Sequence, residues 1–333
     1  MPIPAVPPTV QRDNHPGYQG PQPPDKVVWQ RTFVSITGNS GQGDEIPLTG
    51  FPGGAWPSIF MLPGATGLDS PPMELHSDDS PNLDGGIFRG ARATQREIMI
   101  PVFLHGVDRR SIRDLKRKLV NSLNPKRGYC VLKFVESDGD PRYLYCYYKS
   151  GLEGSEATDD AGFTWVKYGI QLTAFDPWFY SDEVTAASWT FGAAKPFFNN
   201  GGIFLPPSLS EGLPSNSVVP VSNPGDIEAW PTWEIAGPVK ELTLTNEFGE
   251  SFTVGPLSTG ADVIPSGRTL FIDSRPGYKT LKDDLGTNYY PLLAPNPVLW
   301  NIPPGDSQVD VDLVAGSGPA SISLSFNPRY ESY

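Results

Sequence analysis

Only one stretch of this 333-residue chain, residues 111–123, has apolar side chains that recur at the spacing of an amphipathic helix. Ser111 is a suitable N-cap, Asp114 suits the positive end of the helix dipole, and Asn124-Pro125 ends the helix. The apolar stripe consists of Ile112, Leu115, Leu119, Val120 and Leu123. Almost all of the remaining sequence is typical of short strands joined by turns, because 37 Pro and 35 Gly interrupt the chain. The sequence therefore predicts a mainly β protein with a single helix.

The length of the chain exceeds the usual size of one hydrophobic core, so we expect two domains. The 8 Trp, 13 Tyr and 17 Phe supply enough bulk for two β-sandwich cores. We predict a Pro-rich extended arm at 1–25 and an N-terminal β domain at 26–185, with the helix at 111–123 and a long loop at 38–90. A linker at 186–221 and a C-terminal β-sandwich at 222–333 complete the chain.

Alternation of apolar and polar residues predicts the strands of the first domain. They are 26–36, 96–104, 129–135, 142–149 and 163–175. The third and fourth flank Ser137-Asp138-Gly139-Asp140, which is a strong hairpin signal. A hairpin centred on Asp138 places Cys130 opposite Cys146. The pair is either two small buried thiols in reduced form or a cross-strand disulfide.

The second domain shows the same alternation in shorter stretches, which favours a sandwich or jelly roll. The predicted strands are 232–235, 241–245, 252–254, 269–273, 309–313 and 321–326. Aromatic side chains in this domain either fill its core or form a platform that stacks on sugars. The candidate glycan contacts in the second case are Trp233 and Trp300.

The positive charge of the chain is concentrated around the helix. Eight Lys or Arg and one Asp lie between residues 109 and 127, a net of +7, whereas the whole chain carries −12, so the remainder carries −19. An acidic body argues against binding nucleic acid through its phosphates. The outward helix face either is solvated or contacts an acidic surface of a neighbouring subunit. The candidate subunit contacts on this face are Arg113, Lys116, Arg117 and Lys118.

No pattern in the sequence predicts a catalytic site, and we expect no enzyme activity, no cofactor and no metal. His15, His76 and His105 are scattered, without a pair at zinc-ligand spacing. A local cluster around His76 either is a solvated acidic loop or supplies carboxylate oxygen ligands to Ca²⁺. The cluster consists of His76, Asp78, Asp79 and Asp84. The start of the chain has no signal-peptide pattern and no apolar run is long enough to span a membrane, so we expect synthesis in a cytoplasm.

The order of these signals resembles that of the distal tail proteins (Dit) of siphophages, the siphovirus tail component family. The resemblance covers residues 26–333, and its motifs are structural rather than catalytic. The stretches that carry it are 85–90 (GGIFRG) with 96–102 (REIMIPV), 172–180 (LTAFDPWFY), 221–226 (VSNPGD), 230–238 (WPTWEIAGP), 270–273 (LFID) and 300–305 (WNIPPG). The arm at 1–25 and the loop at 38–90 depart from the shorter family pattern.

The resemblance implies an N-terminal β-sandwich or split barrel with one helix, which assembles into a homo-hexameric ring below the tail tube. A galectin-like, jelly-roll sandwich projects outward. The implied partners are further copies of the chain, the tail tube protein, and the hub and receptor-binding proteins of the tail tip or baseplate. DNA passes through the ring without specific binding. The implied location is the virion tail tip, after assembly in the host cytoplasm. The alternative is a tail-tip protein that binds a host-surface carbohydrate receptor through its second domain.

Overall fold

The computed structural model of the protein describes residues 32–50, 58–79, 84–136, 140–154, 163–191, 216–316 and 318–333. The arm predicted at 1–25 and the first six residues of the strand predicted at 26–36 lie outside these ranges. The described residues form four β-sheets and one α-helix, and their buried apolar side chains gather in two cores. The prediction of a mainly β protein built on two sandwich-like cores is confirmed.

The first core lies inside one large sheet. The strands of this half are β1 Phe33–Thr37, β2 Glu45–Pro47, β3 Ile59–Met61, β4 Met73–Asp79, β5 Gly86–Ala93, β6 Arg96–His105, β7 Cys130–Val135, β8 Arg142–Ser150, β9 Trp165–Ala174 and β10 Phe179–Tyr180. The path of the sheet runs β2-β1-β7-β8-β9-β6-β3. Met61, the last residue of β3, donates its N–H to the carbonyl of Leu48, next to β2, at 2.8 Å. The sheet is therefore nearly closed, like a barrel.

The strands with the clearest alternation occur where the sequence predicts them. In β6 every second side chain from Ile98 to Leu104 is buried, and the other face is partly exposed. β7 and β8 pair in antiparallel register with Cys130 opposite Cys146 and Leu132 opposite Leu144, as the hairpin signal predicts. The burial of one face of each strand sets this register, since a slip of one residue would expose that face.

The helix, α1, spans Arg109–Ser122 and packs against β6. The prediction that Ser111 is the N-cap was wrong, because Asp108 takes that position. The Asp108 carboxylate accepts the backbone N–H of Ser111 at 2.7 Å, and the Ser111 hydroxyl accepts the backbone N–H of Asp108 at 3.0 Å. This reciprocal capping box explains the earlier start. The described ranges contain no bilayer-spanning helix, since α1 has 14 residues and is strongly cationic.

The apolar stripe of α1 is narrower than predicted. Ile112, Leu119 and Leu123 are buried and Leu115 packs partly against the same core, but Val120 is 49% exposed. At 3.6 residues per turn, Val120 points about 80° away from Ile112, which places it at the margin of the buried face. It therefore lies among the outward cations.

The second core lies between two antiparallel sheets, as in a sandwich. The strands of this half are β11 Val184–Phe191, β12 Asn216–Asn223, β13 Thr232–Ala236, β14 Val239–Asn246, β15 Ser251–Val254, β16 Thr269–Asp273, β17 Thr280–Asp283, β18 Gly305–Ala315 and β19 Ala320–Phe326. One sheet has the order β11-β19-β13-β16-β17 and the other the order β12-β18-β14-β15. All six strands predicted for this half are present.

The final strand, β20 Arg329–Tyr330, leaves the sandwich and pairs with β10 in the first sheet. We predicted that residues 222–333 belong to the second sandwich, and this pairing corrects that prediction for the last residues. The ring of Tyr333 stacks on Phe134 of the first core, with centroids 4.7 Å apart. The stacking of Tyr333, which stays 40% exposed, on the buried ring of Phe134 stabilises the return of the chain.

Two strands, β4 and β5, form a ribbon of their own in the long loop predicted at 38–90. Its side chains are exposed along nearly the whole length. The loop prediction missed this ribbon, because Gly86 and Gly90 and several charged residues hide the apolar alternation.

Candidate functional site

The cationic face of α1 is the surface that the sequence singles out as a subunit contact. Arg113, Arg117 and Lys118 are exposed, and Lys116 is half-buried. Lys118 Nζ lies 3.9 Å from Asp44, and Arg113 Nε lies 4.0 Å from its neighbour Asp114. Exposed pairs at such distances contribute little to stability. Within the described ranges, Lys116 and Arg117 have no carboxylate within 4.0 Å, so the face keeps most of its positive charge.

The tryptophans proposed as glycan contacts lie inside the second core. Trp233 is 0% exposed and Trp300 is 3% exposed, and their rings meet edge to face with centroids 5.8 Å apart. A sugar stacks on an accessible ring face, and neither ring offers one. The burial therefore corrects the glycan-contact prediction for this pair and favours the alternative that both are core aromatics.

The acidic cluster near His76 has the geometry of a solvated ribbon rather than of a metal site. The Asp78 carboxylate forms an ion pair with Arg89 Nε at 2.6 Å. No group of three or more His, Cys, Asp or Glu side chains suited to a metal occurs in the described residues. His105 stacks on Phe103 at 6.4 Å, and His15 lies outside the described residues.

The two cysteines face each other as free thiols in the first core. Their sulfur atoms are 3.5 Å apart and both side chains are buried. Burial, together with the hydrogen bond and proximity of Cys130, raises the pKa of the Cys146 thiol. A high thiol pKa suppresses the thiolate of Cys146 and with it its nucleophilic reactivity, and the burial of both side chains favours a packing role for the pair.

The most heavily bonded polar side chain of the first half was not predicted. Arg96, the first residue of β6, is buried and its guanidinium donates to the backbone carbonyls of Gly67, Asp69, Pro177 and Glu331. The four carbonyls come from three segments distant in sequence, around residues 67–69, 177 and 331, which therefore meet at one cation. Its only sequence signal is an arginine at the start of an otherwise apolar strand.

A cluster of aromatic and cationic side chains joins the two halves of the molecule, next to the C-terminal residues that pair with the first sheet. The guanidinium of Arg329 lies over Trp178 at 5.7 Å and over Tyr180 at 6.0 Å from the ring centroids. Arg142 lies over Tyr330 at 3.6 Å. Burial, and after it the charge of Asp176, raises the pKa of Tyr180, so its hydroxyl stays protonated. These contacts hold β10 and β20 together.

No family model and no curated protein matches the sequence. Solved structures match the fold. The Dit protein (gp 19.1) of phage SPP1, described as a paradigm of the hub adsorption apparatus in phages that infect Gram-positive bacteria, is similar with a TM-score of 0.59 at 16% identity. The match covers 89% of this chain and 98% of that one. The fold of this chain is that of a distal tail protein.

Two structures of the phage p2 baseplate in its activated conformation, one with Sr and one with Ca, give the same result. Their TM-scores are 0.52 and 0.53 at 10% identity, over 91% of this chain and 100% of the matched chains. The likeness to all three spans both β halves. It supports the resemblance seen in the sequence, since the similar structures are a Dit protein of a phage hub adsorption apparatus and a phage baseplate.

Proposed function

We propose that this chain is a structural protein of a phage tail tip. The observation that carries the proposal is the likeness to the SPP1 Dit protein over nearly the whole of both chains. The two β cores are joined by β20, which pairs with the first sheet, and this arrangement suits a rigid structural subunit. We assign the chain no catalytic role.

In this role six copies form a ring that joins the tail tube to the tail-tip hub and the receptor-binding proteins. The N-terminal unit, residues 26–185, forms the ring, and the sandwich that follows the linker at 186–221 projects outward. The Pro-rich arm at 1–25 adds contacts on assembly. The ring is made in the host cytoplasm and becomes part of the virion, without inserting into a membrane.

DNA crosses the ring without being held. The net charge of −12, and of −19 outside the helix region, supports this part of the proposal, because like charges repel the phosphate backbone. The cationic face of α1 then contacts protein rather than DNA. The contact residues are Arg113, Lys116, Arg117 and Lys118.

The location of the chain in the particle tests this proposal. A tagged or antibody-labelled chain should appear in electron micrographs at the tail end farthest from the capsid, at the junction between the tube and the tip. Label on the capsid or along the whole tube, or no label on intact virions, would contradict it. An irrelevant antibody of the same class serves as the control.

A further inference from the structure

The ribbon of β4 and β5 has no partner sheet among the described residues. The two strands pair with each other and with no other strand. A two-stranded ribbon in water is marginally stable unless one of its faces packs against something. The exposed state of this ribbon therefore points to a surface that another molecule covers.

One face of the ribbon is apolar. The cross-strand pairs Met73 with Ala93 and Leu75 with Ala91 lie on it, and the bulge after His76 brings Phe88 onto the same face opposite Ser77. Leu75 is 68% exposed and Phe88 is 64% exposed. Large apolar side chains gathered on one exposed face are typical of an interaction surface.

The charges of the ribbon leave it acidic. Glu74 pairs with Arg92 at 2.6 Å and Asp78 pairs with Arg89 at 2.6 Å, both on the exposed surface. Asp79 at the end of β4 and Asp84 just before β5 have no ion-pair partner among the described residues. The partner of the ribbon should therefore combine apolar side chains with positive charge.

The outward face of α1 has that combination. Val120 is exposed among its cations, and Lys116 and Arg117 lie four and three residues before it, about one helical turn away. Arg113 extends the same face by a further turn. No ion pair among the described residues joins this face to the ribbon of the same chain, so both surfaces are available to other copies.

We propose that the ribbon of one copy docks on the cationic face of α1 in the next copy. Asp79 and Asp84 then meet Arg113 and Arg117 around an apolar centre that contains Phe88 and Val120. A closed ring requires two different, mutually complementary surfaces on each subunit, and this pair provides them. The inference rests on the proposed ring and names the surfaces that build it.

Charge exchange tests the contact. We expect Arg113→Glu with Arg117→Glu to weaken the assembly of the full chain roughly tenfold or more in sedimentation velocity, and Asp79→Lys with Asp84→Lys to do the same. The chain that carries all four changes should recover most of the wild-type assembly, because the charges are complementary again. Leu75→Ser with Phe88→Ser should weaken assembly without any change of charge.

Lys279→Glu with Lys282→Glu is the matched control, since it makes the same change of charge on exposed residues of the second half. Circular dichroism melting curves establish that each variant is folded. If the charge reversals leave ring assembly unchanged, or if the chain with all four changes does not regain assembly, the proposed contact is wrong, although a ring still forms. A wild-type chain that stays monomeric would overturn the ring and the contact together.

Discussion

The buried cation Arg96 organises the junction between the two halves of the molecule. Its guanidinium donates to the carbonyls of Pro177 at 2.9 Å and Glu331 at 2.8 Å, and lies 4.9 Å from the ring centroid of Phe179. Burial lowers the pKa of Arg96, but a guanidinium remains charged at any physiological pH. The charge is tolerated inside the protein because backbone oxygens replace the water that it loses.

Replacement of this side chain should therefore be costly. We expect Arg96→Met to lower the free energy of unfolding by about 3 kcal/mol, because several buried carbonyls lose their donor at once. The free energy of unfolding of Arg96→Lys should lie between those of the wild type and Arg96→Met, since a lysine ammonium cannot reproduce the planar, forked set of donors of the guanidinium. Urea denaturation measures both.

The control is Arg92→Ala, which removes an exposed ion pair to Glu74 and should leave the free energy of unfolding almost unchanged. If Arg96→Met were as stable as this control, the carbonyl cluster would not be what holds the returning C-terminal residues.

For individual residues, the sequence predicts a contact correctly where a hairpin turn fixes which residues of its two strands lie opposite each other. The turn around Asp138 places Cys130 opposite Cys146, and the structure has this pairing. Sequence cannot separate a buried aromatic from an exposed one on alternation alone, so Trp233 remained compatible with both a core and a sugar platform. Arg96 was not predictable, because its four carbonyl partners come from distant segments.

Among the elements, α1 is defined by its cap as much as by its apolar stripe. The predicted start at Ser111 was displaced because a carboxylate three residues earlier competes for the same N–H groups. The hydrogen bonds from Ser111 lower the pKa of Asp108. The cap is therefore complete above the ordinary pKa of an aspartate and is lost as pH falls through the lowered value.

Loss of this cap should be measurable. We expect Asp108→Ala to lower the thermal midpoint of the first half by a few degrees near neutral pH. The difference from wild type should shrink in acid, where the wild-type carboxyl is protonated. Asn121→Ala, on the exposed side of the same helix, is the control. An effect that stayed the same at low pH would show that the charge of Asp108 is not the cause.

The strands β11 and β12 were missed because of their side chains, since each has 8 residues, as many as the predicted β14. β14 and β19 alternate apolar with polar residues, and β6 and β9 place Ile, Leu or Val at alternate positions, so one buried face is visible in the sequence. β11 (VTAASWTF) and β12 (NSVVPVSN) fall partly or largely within the predicted linker and carry Ala, Ser and Pro. Pairing with β19 and β18 makes them strands, and this tertiary effect is not visible locally.

For the molecule as a whole, the sequence predicts a two-core β architecture and its resemblance to distal tail proteins. It does not predict how the cores are joined, because β20 returns to the first sheet through a contact of only two residues on each strand. The surfaces left exposed, an acidic ribbon with an apolar face and a cationic helix face, are what a self-assembling subunit needs. The proposed ring accounts for both.

The most direct test is the mass and shape of the purified full chain. Native mass spectrometry with negative-stain electron microscopy should give a species of six times the 36.2 kDa chain mass and round particles with six-fold symmetry. Because charged surfaces contribute to the contact, the fraction of this species should fall as salt is raised. A chain that stays at 36.2 kDa in low salt at high concentration, with no ring in the images, would contradict the account.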